Sequence, residues 1–185
     1  MALFWELISL IYFFLPAYFC NMTPPIAKRL NLLKVLDFPL DRGRLFLRKP
    51  LLGAHKTFRG VFLGFFVGFF TAFFQKFLYH FPFFQKISLL DYEKINILWF
   101  AFLISSGAVL GDLFFAFLKR RLNLKPGAPF LPFDQTNYVI GAAILLAPTF
   151  KIPLEIWVKL FILTFFLHIV VNRLGFHLKI HRAKW

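Results

Sequence analysis

Two aspartates and five cations hold most of the chemistry available to this chain. Asp112 sits inside an apolar run, Val109-Leu110-Gly111-Asp112-Leu113-Phe114. An ionised carboxylate in hydrocarbon is costly unless it faces a partner or a wet cavity. Asp112, Ala116 and Lys119 are spaced i, i+4, i+7, so on a helix the acid and the lysine share a face. Two readings fit: a structural intramembrane ion pair, or a metal ligand beside a phosphate-binding cation. Asp134 favours the second. It follows Pro126-Gly127, Pro129 and Pro132, on a stiff loop that returns to the membrane surface. Two carboxylates from different elements, with no Cys or His cluster near them, suit Mg²⁺. Lys56, Arg59, Lys119, Arg120 and Arg121 suit phosphates bridged by such an ion. Phosphoryl or nucleotidyl transfer asks a protein mainly to position groups and neutralise charge. Taken singly, each basic run also reads as a topology signal.

The elements that must position these residues are helices in a membrane. With 185 residues, the chain has the length of one domain, yet 59% of it is hydrophobic and 30 residues are Phe. A soluble domain of this size lacks the interior to bury so much apolar side chain. Five runs approach the ~20 residues that cross a hydrocarbon core: 2–21, 60–79, 96–117, 131–150 and 155–171. The fourth is the weakest, because Pro132, Asp134 and Pro148 crowd its ends. The first carries Glu6 and no basic leader, so it reads as a span rather than a signal peptide. Gly60, Gly64 and Gly68 bare one face of the second, for packing against a neighbouring helix or within a homo-oligomer. The expected fold is therefore an all-α integral membrane protein of about five transmembrane helices.

Lys and Arg fix the orientation. Seventeen lie in 22–59, 118–134 and the tail 172–185, against Lys86, Lys94 and Lys151 in the remaining connections. The positive-inside rule then places the N-terminus outside and the C-terminus in the cytoplasm, with a polar cavity on the cytoplasmic face. A net charge of +14 and a pI near 10.3 match anionic phosphates at a membrane surface. Nucleic acid, which would need a soluble basic surface, is not an expected partner. The lone Cys20 excludes an intrachain disulfide and a multi-Cys metal site. His168 and Asn172, one turn apart, either line the cavity or hydrogen-bond between helices.

Several motifs, in order, resemble those of integral membrane cytidylyltransferases, and most closely the CDP-archaeol synthase family. They are Asn21 with Pro24-Pro25 and Lys28-Arg29, Pro39-Leu40-Asp41, Lys56-Thr57-Phe58-Arg59-Gly60, and Gly107 to Leu113. Lys119-Arg120-Arg121, Pro126-Gly127, Phe133-Asp134-Gln135, His168, Asn172 and Trp185 complete the set. Ala116 stands where the family often has Ser, and Leu47-Arg48-Lys49 where it has Gly-Arg-Arg. The resemblance implies that CTP and a lipid phosphate give a CDP-lipid and pyrophosphate with Mg²⁺. The favoured lipid is 2,3-bis-geranylgeranyl-glycerol 1-phosphate, and phosphatidic acid is an alternative. Asp112, Lys119, Arg120 and Lys56 would be catalytic, and Asp112 and Asp134 the metal ligands. Asn21, Lys28, Thr57, Arg59, Arg121, Gln135, His168 and Asn172 would bind substrate.

Two other classes compete. A small ion-coupled transporter or channel subunit would use Asp112 as its coupling site, but it predicts internal symmetry that this sequence lacks. A CDP-alcohol phosphotransferase would carry Asp-Gly-x-x-Ala-Arg, which is absent.

Overall fold

Helix α1 (Ala2–Arg29) continues eight residues past the expected span 2–21, through Pro24 and Pro25 to Lys28-Arg29. The computed structural model describes residues 1–124 and 128–177, without the side chains of Ala2 and Gly175. Lys125, Pro126 and Gly127, and the tail that holds Lys179, Arg182, Lys184 and Trp185, lie outside the described residues. An interior proline removes one backbone donor, so the carbonyl four residues earlier loses its intrahelical partner. For Pro24 that carbonyl belongs to Cys20, and α2 (Phe58–Leu78) presses against it. A Cβ on Gly64 would sit 2.8 Å from the Cys20 oxygen, and one on Gly68 2.8 Å from the Pro16 oxygen. The bare glycine face of α2 is thus occupied by α1 of the same chain, which leaves it unavailable to a second copy.

A short helix, α3 (Pro82–Ile87), caps the far end, where Lys86 Nζ lies 4.7 Å from the Trp5 ring. Helix α4 (Ile97–Arg121) starts at Asn96, whose side chain accepts the Trp99 amide at 3.1 Å. Helix α5 (Phe133–Phe150) folds where the weakest run was expected, and α6 (Leu154–His177) completes the bundle. Among the described residues, α1, α2, α4 and α6 are long and apolar enough to cross a membrane. Helix α5 has 18 residues and rises ~27 Å, close to a hydrocarbon core.

The core is aromatic. Phe13 and Phe14 of α1 meet Phe100 of α4, Tyr138 of α5 and Trp157 of α6, all buried. The tightest seam joins α4 to α5. A Cβ on Gly107 would lie 2.7 Å from Ala142 Cα; one on Gly111 would strike the Asn137 carbonyl. Gly141 of α5 faces the Gly107 carbonyl just as closely. Only hydrogen fits at these three positions, so the two backbones touch. That contact sets the distance between the acids of α4 and α5.

Between α1 and α2 the chain makes a 3-10 turn (Lys34–Leu36) and a two-stranded hairpin, β1 (Leu45–Phe46) with β2 (Lys49–Pro50). Its two loop residues, Leu47 and Arg48, both have positive φ, +50° and +59°, as a tight turn of this hand requires.

Candidate active site

Asp112 lies on α4, one residue beyond the Gly111 contact, where both its oxygens meet Lys56 Nζ at 2.7 and 2.6 Å. Asn137 of α5 donates its amide to Asp112 Oδ1 at 3.3 Å. Two turns further along α4, Lys119 Nζ meets both oxygens of Asp134 at 2.8 Å. Asp134 Oδ2 also accepts the Phe130 amide at 2.9 Å, which ties the acid to the loop before α5. The sequence spacing put Asp112 and Lys119 on one face, and they do share a cavity. The ion pairs run across elements instead: the loop lysine takes the α4 acid, and the α4 lysine takes the α5 acid. Each pair is half-buried, with side-chain exposures of 28% and 30% for Lys56–Asp112 and 13% and 29% for Lys119–Asp134.

Two cavities meet at the Lys56–Asp112 pair. The first, about 210 Å³, lies among the 52–56 loop, the last turns of α4 and the first turn of α5. Lys119, Arg120, Asp134 and Asn137 open onto it. The second, about 170 Å³, lies between α1, α2 and α4, and holds Asn21 and Thr57. Lys56, Asp112 and His55 line both cavities.

Buried polar atoms without partners indicate what the first cavity is built to receive. Among the described residues Arg120 Nε and Asn137 Oδ1 have none, and such orphans are rare unless a ligand, ion or water completes them. A guanidinium suits a phosphate. Asp112, Asp134 and Asn137 line this cavity together, and their oxygens are the donor type a hard divalent cation prefers. Among the described residues no three His, Cys, Asp or Glu cluster. Mg²⁺ uses one or two carboxylates together with substrate phosphates rather than a protein cage, and Asp112 and Asp134 are carboxylates of that kind.

The loop that presents Lys56 is organised by Asp41. Its carboxylate accepts the amides of Gly43 at 3.0 Å and of Leu52 and Gly53 at 2.9 Å. Burial alone would raise the Asp41 carboxyl, but the amides of Gly53, Leu52 and Gly43 outweigh it and hold it below the usual carboxylate range. Gly53 has φ +97°, a conformation that glycine alone adopts easily. Thr57 then caps α2 by accepting the Gly60 amide at 3.2 Å.

Not every expected contact converges here. Arg59 is 2% exposed, paired with Asp37 at 2.9 Å, and lines neither cavity. Arg121 donates to the carbonyls of Phe46, Lys49 and Pro50, and lies 5.0 Å from the Phe117 ring. With Lys49 donating to the Arg121 carbonyl at 3.1 Å, it latches the hairpin onto α4. Lys28 is exposed at the end of α1, and Gln135 is buried on α5 away from both cavities. His168 and Asn172 hydrogen-bond to each other at 3.1 Å along α6 and line neither cavity. Sequence reasoning missed Asn137, His55 and the anchoring role of Asp41. Asn137 had one available signal: it falls three residues after Asp134 on the same helix, and so shares its face.

Comparison with known proteins extends this picture along the whole chain. A family model described as CarS-like, CDP-archaeol synthase, matches residues 3–185. The CDP-archaeol synthase of Thermofilum pendens is 35% identical over 173 residues, covering 92% of this chain and 78% of that protein. That of Methanococcus maripaludis is 34% identical over 191 residues, with both chains covered completely. A solved structure of an intramembrane enzyme for archaeal membrane lipids biosynthesis superposes with a TM-score of 0.70. It is 26% identical, with 88% of this chain and 91% of that one aligned. With the match running from residue 3 to the last residue, this chain belongs to the CarS-like CDP-archaeol synthase family.

Proposed function

We propose that this chain is a CTP-dependent cytidylyltransferase that converts a glycerol-based lipid phosphate into a CDP-lipid and pyrophosphate. The observation that carries this reading is the position of the Lys56–Asp112 pair, between a charged cavity that also holds Lys119, Arg120 and Asp134 and a second, mostly apolar cavity that holds Asn21 and Thr57. Nucleotide and lipid phosphate then approach the pair from opposite sides. The favoured lipid is 2,3-bis-geranylgeranyl-glycerol 1-phosphate, after the activity named for the relatives.

In this mechanism an oxygen of the lipid phosphate attacks the α-phosphorus of CTP. The bond between that phosphorus and the β-bridging oxygen breaks, and pyrophosphate leaves with the electron pair. The attacking oxygen is already anionic, so no general base is needed. Lys119 and Arg120 neutralise the triphosphate and the departing pyrophosphate; Lys56 steadies the incoming phosphate and the α-phosphoryl oxygens. Asp112 and Asp134, with the Asn137 oxygen, would hold Mg²⁺, which when bound supplies charge neutralisation across the phosphates. Asn21 and Thr57 face the lipid's glycerol. Helix α5 serves as the fifth span, which puts the N-terminus outside and the active site and C-terminus in the cytoplasm.

The test is pyrophosphate release by purified protein given CTP and Mg²⁺, with phosphatidic acid and the geranylgeranyl lipid phosphate offered separately. Release that requires one of these lipids, and that Asp112→Asn abolishes, is the expected result. Folded protein that releases nothing with either lipid would refute the assignment.

A further inference from the structure

A third cavity, about 320 Å³, opens between α2 and α4 and is lined by Val61, Phe62, Phe65, Phe66, Val109 and Leu110, with Ser106 its single polar side chain. Phe62, Phe66 and Leu110 are exposed, at 46%, 38% and 55%, so the groove faces the apolar surface of the bundle. Val61 and Val109 also line the cavity that holds Asn21 and Thr57. The two spaces therefore adjoin, and these valines form the neck between them.

Four environments follow one another along this route: hydrocarbon wall, neutral polar groups, the Lys56–Asp112 pair, and the cationic cavity of Lys119 and Arg120. A glycerophospholipid has the same order of polarity, from chain to glycerol to phosphate. We infer that the α2–α4 groove holds one hydrocarbon chain of the lipid phosphate, with Val61 and Val109 at the neck where chain gives way to glycerol. The assignment rests on the cytidylyltransferase reading. Its support is the continuity of the groove with the reacting cavity, because a groove filled only by bulk lipid need not lead there.

Two measurements test it. Ser106→Trp and Leu110→Trp fill the groove without touching the charged residues. Each is expected to raise KM for a long-chain lipid phosphate by about tenfold or more. KM for CTP should stay unchanged, and a short-chain lipid phosphate should be used nearly as well as by the parent protein. Separately, a lipid phosphate with a diazirine in its chain, photolysed on the parent protein, should mark peptides 61–66 and 106–110. Unchanged long-chain KM in folded variants, or labelling confined to other helices, would overturn the groove assignment. If a variant fails to fold, the crosslink on the parent protein decides. A parent protein that labels in the groove but makes no CDP-lipid would refute the enzyme reading and not the binding site.

Discussion

Each of the two lysines at the site closes on both oxygens of an aspartate, which makes four half-buried charges neutral in pairs. Removing one member leaves the other uncompensated, so charge-removing substitutions should act on more than contact. Lys119→Ala is expected to lower kcat by about 10²-fold or more, as loss of one electrostatic group at developing charge typically does. Steady-state kinetics with saturating lipid checks this; an unchanged kcat would remove Lys119 from the machinery. Asp41 makes a different prediction, because its carboxylate holds a loop rather than a substrate. Its folded carboxyl is lowered, so its contribution to stability is complete above the ordinary aspartate value of about 3.9. It is lost as pH falls through the lowered value of the folded state. Asp41→Asn should therefore cost about 1–3 kcal/mol near neutrality, and the two melting curves should converge as pH drops below 4. Asp112 could be picked out from the sequence because a carboxylate in an apolar run needs a reason. Lys56 stood among the site's cations, but its pairing with Asp112 was not legible, because it is 56 residues away and only the folded loop brings it near.

At the level of elements, the α4–α5 seam sets the geometry of the site. Gly107, Gly111 and Gly141 admit no side chain, and Asn137 and Asp112 flank the contact. Gly111→Val forces the helices apart and should cost about 3 kcal/mol or prevent folding, read as the loss of a monodisperse, thermally cooperative protein in detergent. Gly141→Ala adds a smaller wedge at the tightest point of the seam, so it should lower both stability and activity, since it moves Asp134 and Asn137 away from α4. The run 131–150 announced α5 only weakly because its first turn holds the polar Asp134, Gln135 and Thr136 and its apolar length is short. Pro24 and Pro25 are helix breakers by local rule, yet α1 continues through them to Arg29, with Gly64 of α2 packed against the Cys20 carbonyl. Arg59 and Arg121 show the limit of reading charge alone: both belong to a basic run that suits phosphate, and both are consumed in holding the loop to the bundle.

For the whole molecule, the basic ends of α1, α2 and α4 gather with the start of α5, as the uneven distribution of Lys and Arg anticipated. Topology can be measured directly, because the sole cysteine is buried. In a Cys20→Ala background, Glu93→Cys should react with an impermeant maleimide from outside, and Arg44→Cys only after the membrane is opened. The reverse labelling would invert the orientation. Helix content and the multi-pass membrane class were legible from composition and period, while the two adjoining cavities exist only once the loop 30–57 has folded back onto α4. Those cavities also govern how a rate should be expressed. One opens among charged loops and the other leads to a groove in the apolar flank, so the two reactants are drawn from different phases. For the nucleotide the relevant quantity is molarity; for the lipid it is mole fraction in the surrounding film. Adding inert detergent or diluent lipid at fixed total substrate should therefore slow turnover, although no binding constant has changed.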